Sequence, residues 1–326
     1  MTKQPPGPLF VMGAGSIGCY LGACLQAAGV EVHYIGRPRI IEALRSHDML
    51  ITDIDGNRFD LPCQSLKLHY DIPLHIQPLL VLLCVKSGAT VNAAEALDQR
   101  LPAGTLVVSM QNGLSNASKA SNAAPRLTVL PGMVPFNVAQ ISEAHFHRGT
   151  SGKIAVQRHE GLVPWLPWFK RAGLPLDLQD DMGPVQWGKL LLNLNNPVNA
   201  LSGLPLQAQL LSTAHRRMLA DLMDEALGLL NQAGIRPARF SPLPWALLPV
   251  FLRLPTPLFR TLARGVLNID ASARSSMADD VLKGRPTEID EICGEFVRLA
   301  KRFGTQAPKN EEMMHKILEL QQTVQH

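Results

Sequence analysis

The stretch that most constrains this chain is Leu9-Phe10-Val11-Met12-Gly13-Ala14-Gly15-Ser16-Ile17-Gly18. An apolar run suited to a buried strand ends in Gly-x-Gly-x-x-Gly, and Cys19 to Ala28 then reads as a small-residue helix. A chain leaving a strand this sharply must turn, bring its backbone against a pyrophosphate and pack the new helix tightly on the sheet. Glycine satisfies all three demands, and the free N–H groups of the helix start then face the phosphates. Strand, motif and helix occur in the required order, which raises the pattern above an incidental Gly-rich turn. Gly13, Ala14, Gly15, Ser16, Ile17 and Gly18 are therefore expected to hold a dinucleotide.

The rest of the first half supports that frame. Gly29 is placed to stop the helix, and Val30 to Ile35 supplies a second strand, giving a β-α-β unit. That strand ends at Gly36-Arg37-Pro38-Arg39, where this kind of fold reads the adenosine ribose, about 20 positions beyond the glycines. An acidic residue there would accept the 2′-hydroxyl of NAD; Gly36 followed by arginine instead suits the 2′-phosphate of NADP, with Arg37 as the planar fork and Arg39 as helper. Met49 to Leu68 reads as a hairpin or paired extended segments around Asp55-Gly56-Asn57. Leu79 to Val85 is a continuous apolar run, as a strand covered on both faces requires, and it ends in Lys86. Gly104 to Ser109 likewise runs into Gln111-Asn112-Gly113. Ligands of doubly wound sheets lie beyond the carboxyl ends of strands, so Lys86 and Asn112 are candidate cofactor contacts. Val134 to Gln157 reads as antiparallel strands added to the same sheet.

Strand-like runs vanish near Asp180. The expected architecture is an α/β Rossmann-type dinucleotide-binding domain over residues 1–179, followed by an all-α C-terminal domain over 180–326. A helix through Gln186 to Ala200 would carry Lys189, Asn193 and Asn196 at i, i+4 and i+7, on one face. One ammonium and two amides among leucines suit neither a solvated face nor an unpartnered core. A substrate with a carboxylate and a carbonyl would satisfy them. Thr287 with Asp290 fits a capping pattern that would start a helix at Glu288, whose carboxylate would complement the helix dipole.

Composition narrows the class. The 326 residues are 46% hydrophobic and 18% charged, enough apolar material for sizeable cores. A net charge of +4, spread along the chain, gives no basic tract for nucleic acid. The five cysteines lack Cys-x-x-Cys spacing, so neither a metal site nor a disulfide framework is expected, and a reducing cytoplasm fits. Met1 to Pro8 has no apolar signal segment. Leu243 to Ile269 is apolar but broken by Pro244, Pro249, Pro255 and Pro257 and charged by Arg253, Arg260 and Arg264. It reads as short packed helices rather than a membrane span of ~20 apolar residues.

Taken together, Gly13-x-Gly15-x-x-Gly18, Cys84-Val85-Lys86, Gln111-Asn112-Gly113, Trp187-Gly188-Lys189-Leu190 with Asn193, Asn196-Pro197, Ser275-Ser276-Met277 and Thr287-Glu288-Ile289-Asp290 resemble the ketopantoate reductase (2-dehydropantoate 2-reductase) family over nearly the whole length. The resemblance implies NADPH-dependent reduction of a 2-oxo acid to a 2-hydroxy acid, most directly ketopantoate to pantoate in pantothenate biosynthesis. It implies that Lys189 is the proton donor and that Glu288 is an acid near lysine and cofactor. Asn193, Asn196 and Ser276 match substrate-holding positions; Lys86 and Asn112 match a pair lying along NADP(H) toward the nicotinamide. The partner is then a small 2-oxo acid, with a homodimer compatible with the chain.

Three departures stand out. Asn196 lies seven rather than eight residues after Lys189, so Asn195 and Asn199 are candidates to share its role. Ala273 and Leu206 stand where the family has polar residues. These changes raise the alternative of a more apolar 2-oxo acid. A non-catalytic NADP-binding regulator is the other reading, and it has no need of Lys189 and Glu288 together.

Overall fold

The structure is a computed structural model describing residues 4–240, 243–264, 267 and 273–325. The outer parts of two stretches considered above, Met1 to Pro8 and Leu243 to Ile269, lie in part outside the described residues. The chain divides into two compact units, Met1–Met182 and Gly183–His326.

Twelve strands are described in the first unit: β1 Leu9–Met12, β2 Val32–Ile35, β3 Met49–Asp53, β4 Arg58–Leu61, β5 Lys67–His69, β6 Leu80–Leu83, β7 Leu106–Ser109, β8 Thr128–Met133, β9 Val138–Gln140, β10 His145–Arg148, β11 Ile154–Gln157 and β12 Leu176–Gln179. The main sheet has the order β12-β11-β8-β7-β6-β1-β2-β5. It is parallel except where β11 runs antiparallel to β8. Helices α1 Ser16–Ala27, α2 Pro38–Ser46, α3 Thr90–Arg100, α4 Asn116–Ala123 and α5 Leu166–Arg171 complete the unit.

Strand alternation explains how the helices cover the sheet. Leu9, Val11, Leu80 and Leu82 point into a core shared with Leu21 and Leu25 of α1. Phe10, Val81 and Leu83 point the other way, against Ala93, Ala94 and Leu97 of α3 and Ala120 of α4. Every side chain of β6 is fully buried, as the uninterrupted apolar run requires.

Val134 to Gln157 behaves differently from expectation. Only β11 joins the main sheet; β9 and β10 form a second sheet of order β4-β3-β10-β9. The hairpin β3–β4 has a free edge on β3, and β10 pairs with it in parallel, His145 opposite Leu50. Arg148 fixes the junction, donating to Asp53 at 3.0 Å and also bonding Asp55. Tyr20 of α1 packs edge-on against Phe136 beside this second sheet.

The second unit has helices and no strand among its described residues. It comprises α6 Gly183–Asn193, α7 Asn195–Ser202, α8 Leu206–Leu211, α9 Thr213–Gln232, α10 Leu248–Leu252, α11 Thr256–Leu262, α12 Ser276–Leu282, α13 Ile289–Arg302 and α14 Pro308–Gln325. No described helix is long and apolar enough to cross a membrane. The single helix expected over Gln186 to Ala200 is interrupted at Leu194. Pro197 has no N–H to give the Asn193 carbonyl one turn back, so the helical ladder breaks at that point.

The described part of the proline-rich stretch forms short helices, anchored by Arg216 of α9. This arginine is fully buried and donates to the carbonyls of Leu210, Leu252 and Leu254 at 2.9, 2.9 and 2.8 Å. Its guanidinium lies 4.4 Å from the ring centre of Phe259. Proline-broken segments leave carbonyls without helical donors, and one planar group with five N–H bonds serves several of them.

Candidate active site

The glycine motif is built from three different constraints. Gly13 has φ +110°, and a Cβ there would come within 2.6 Å of the Val85 backbone nitrogen. Its N–H and that of Ala14 both donate to the Ile35 carbonyl, at 2.9 and 3.0 Å, tying the turn to the end of β2. A side chain at Gly18 would overlap the Gly13 carbonyl oxygen and reach Val11 at 2.7 Å, so the helix lies hard against the strand. Gly15 is the opposite case: nothing lies within 4 Å of its Cβ position. It precedes the first turn of α1, which carries no acidic residue and receives no side-chain cap. Space and unopposed N–H groups at one helix start are what a pyrophosphate needs, so the residues present fit a dinucleotide.

Arg37 follows directly. It sits at the amino-terminal cap of α2 with φ −66° and ψ 151°, and both Arg37 and Arg39 are exposed. Gly36 before it is crowded: a Cβ would meet the Ala14 methyl at 2.8 Å. Any side chain at this strand end would have to displace Ala14.

Beyond β6 and β7 lie Lys86, exposed, and Asn112, partly buried. Their loops are joined by a buried hydrogen-bond chain that sequence reading missed. Ser109 Oγ donates to Gln111 Oε1 at 2.9 Å, and Gln111 Nε2 donates to Thr90 Oγ1 at 2.6 Å. Thr90 then donates to Asn116 Oδ1 at 3.1 Å, and Asn116 Nδ2 to Ser87 Oγ at 2.9 Å. The only hint in the sequence was the Gln111-Asn112-Gly113 motif itself.

In the helical unit, Lys189 lies on α6 one turn from Asn193, which is buried. Burial pushes the Lys189 ammonium down to about 8. Trp187, on the same helix, packs against Phe296 of α13 with ring centres 5.5 Å apart. Asn196 falls past the break, in the first turn of α7, partly buried. The Ser275 hydroxyl donates to the Asn196 carbonyl at 3.2 Å, which brings Asn196 to the start of α12 beside the exposed Ser276.

The neighbouring amides have other duties. Asn199 is fully buried; it accepts from Ser275 N–H at 2.9 Å and donates to the Leu204 carbonyl at 2.9 Å. Asn195 accepts from the buried Gln209 at 3.1 Å. Asn199 is thus a knot in the core and not a free ligand for substrate. Ser275, not Ser276, caps α12, accepting from Ala278 N–H.

Glu288 is partly buried at the amino-terminal end of α13, where its backbone has φ −98° and ψ 35°. Thr287 does not cap this helix. Its hydroxyl donates to Gln321 Oε1 at 2.8 Å, tying the helix start to α14, while Asp290 is taken by Arg298 at 2.8 Å.

No cysteine is paired in a disulfide. All five are free, and burial pushes the Cys84 thiol up to about 12 and that of Cys19 higher still. Among the described residues no group of three His, Cys, Asp or Glu side chains could hold a metal.

Known proteins share both halves of this arrangement. Residues 9–161 match the family model for ketopantoate reductase PanE/ApbA, and residues 181–321 match its C-terminal counterpart. A 2-dehydropantoate 2-reductase of Pyrococcus horikoshii is 27% identical over 309 residues, 93% of each chain. A PanE/ApbA family ketopantoate reductase of Ralstonia eutropha superposes with a TM-score of 0.81 at 26% identity, covering 98% of this chain and 100% of that one. A D-mandelate dehydrogenase solved with NADH and anilino(oxo)acetate has the same fold, with a TM-score of 0.79 at 17% identity, covering 98% and 99%. With both family models matched in chain order and the glycine turn built as a dinucleotide loop requires, the chain belongs to the ketopantoate reductase PanE/ApbA family of oxidoreductases.

Proposed function

We propose that this chain reduces a 2-oxo acid to a 2-hydroxy acid with NADPH, ketopantoate to pantoate being the first reaction to test. The observation that carries the reading is Lys189, a lysine whose surroundings lower its pKa to about 8 on the helix that also carries the buried Asn193. An ammonium poised near neutral pH can hydrogen-bond a ketone oxygen and release its proton as negative charge develops there. Asn193, Asn196 and Ser276 would hold the carboxylate and hydroxyl ends of the substrate, and Glu288 would act as an acid beside lysine and cofactor.

The first unit, taken as residues 1–179, would hold the cofactor, and residues 180–326 the substrate. Gly13 to Gly18 would take the pyrophosphate, Arg37 the 2′-phosphate, and Lys86 with Asn112 the part running toward the nicotinamide. NADPH, when bound, supplies the hydride; the protein supplies placement, charge and a proton. Oxidation of NADPH in the presence of ketopantoate tests this directly. Absence of turnover on ketopantoate and related 2-oxo acids, with NADPH still bound, would refute it.

One observation favours a second reading. Leu206 N–H donates to the Ala273 carbonyl at 2.8 Å, so the two positions that lack the family's polar residues form a single neighbourhood. Apolar residues at both positions suit a substrate with an apolar side chain. A kcat/KM at least tenfold higher for a branched or aromatic 2-oxo acid than for ketopantoate would establish it.

A further inference from the structure

The buried chain of side chains behind the two loops of the main sheet does more than fill space. Ser87, Thr90, Ser109, Gln111 and Asn116 are each at least nine-tenths buried, and Thr90 is wholly so. Their hydrogen bonds run in one direction: Ser109 to Gln111, Gln111 to Thr90, Thr90 to Asn116, Asn116 to Ser87. A hydroxyl that accepts from one amide and donates to the next makes the orientations of the two amides interdependent. Each amide has one N–H left over, and each spends it on a backbone carbonyl. Gln111 Nε2 donates to Val85 at 2.9 Å, and Asn116 Nδ2 donates to Asn112 at 2.6 Å.

Those two carbonyls matter because of what they adjoin. The Val85 carbonyl shares a peptide plane with the Lys86 nitrogen, so Gln111 sets the direction in which Lys86 leaves the strand. The Asn112 carbonyl belongs to Asn112 itself. We propose that Thr90 is a positioning residue which, through Gln111 and Asn116, locks the Lys86 and Asn112 loops into one preformed cofactor-binding arrangement. The proposal rests on the reading above that Lys86 and Asn112 lie along the dinucleotide. Preformed loops bind with less ordering cost, so the lock acts on affinity for the half of the cofactor those loops touch.

Thr90→Val is the sharpest probe, since it keeps shape and removes one hydroxyl; Thr90→Ser restores the hydroxyl alone. On the full-length chain without cofactor, Thr90→Val is expected to speed amide hydrogen exchange at residues 85–88 and 110–114 at least tenfold, leaving β1 and α1 unchanged. Its dissociation constant for NADPH should rise about tenfold, while that for 2′,5′-ADP, which lacks the nicotinamide half, changes less than twofold. Thr90→Ser should return both to within twofold of wild type. Gln111→Met, which frees the Val85 carbonyl, gives a second route should Thr90→Val fold poorly, with the same split between the two ligands. Unchanged loop exchange, or equal weakening of both ligands, overturns the lock. Wild-type protein that does not bind NADPH overturns the proposed function instead, and the exchange measurement then judges the lock independently.

Discussion

At Lys189 the proposed mechanism ties burial to chemistry. If Lys189 gives the proton, as proposed, it must hold that proton first, so with a pKa of about 8 the reductive rate is expected to hold at neutral pH and fall as pH rises through 8. A pH profile of kcat reads this, and Lys189→Ala should lower kcat about 10²–10⁴-fold and flatten that limb. Arg37 is exposed and no side-chain partner is described for it, so Arg37→Ala should leave stability alone. Loss of a charge-assisted contact to phosphate, about 1.5–3 kcal/mol, should raise the KM for NADPH at least tenfold and leave that for NADH nearly unchanged. Steady-state kinetics with both cofactors measures the difference. Gly36→Asp, which would install the NAD-reading acid by sequence logic, should destabilise the protein instead of switching it, because the Ala14 methyl stands 2.8 Å from the new Cβ. The glycine turn was legible because it answers a steric demand within a few residues of chain, and the roles proposed for Lys189 and Arg37 follow the same local logic. Thr90 and Asn116 were not, since their hydrogen bond spans 26 residues and shows no local pattern.

At the scale of elements, α6 is as tightly specified as the glycine turn. A side chain at Gly188 would overlap the Ala238 carbonyl oxygen and meet Phe240 at 2.9 Å. Ala238 in turn donates to Pro184 at 2.7 Å and accepts from Trp245 at 3.2 Å. Gly188→Ala must therefore push that segment off the helix carrying Lys189. A cost of about 1–3 kcal/mol in denaturant unfolding is expected, with kcat reduced as Lys189 shifts. The helical periodicity of the second half was readable, yet the break at Leu194 depended on weighing Pro197 against an otherwise helical run. The role of Arg216 was hidden for another reason. An arginine in a helix reads as a solvated charge, and only the proline-broken helices folding over it reveal the carbonyls it serves. The short strands β9 and β10 offered no sign of which edge they would take.

For the molecule as a whole, pH acts through an imidazole pair on the main sheet, His33 buried and His69 partly so. His33 Nδ1 and His69 Nε2 lie 2.9 Å apart and share one proton, with Glu31 at 3.1 Å from His33 Nε2. Burial holds His33 below its ordinary pKa, Glu31 opposing; burial lowers His69 too, reinforced by the charges of His33, Arg45 and Lys67. Between the folded and unfolded values the unfolded chain binds more protons. Stability is therefore complete above about pH 6.5 and declines as pH falls through that value toward the lowered folded pKa. Thermal midpoints measured from pH 7.5 down to 5 should show this drop, and His69→Gln should flatten it. The second sheet has a consequence for how the chain is made. Its ion pair between Arg148 and Asp53 joins residues 95 apart, and β3 pairs with β10 across the same interval. During synthesis the β3–β4 hairpin emerges early and must wait, one edge unclaimed, while four of the eight main-sheet strands are translated. An open strand edge invites other chains. A ribosome that pauses before His145 leaves that edge exposed, and translation speed through this interval becomes a determinant of how much protein reaches its native state.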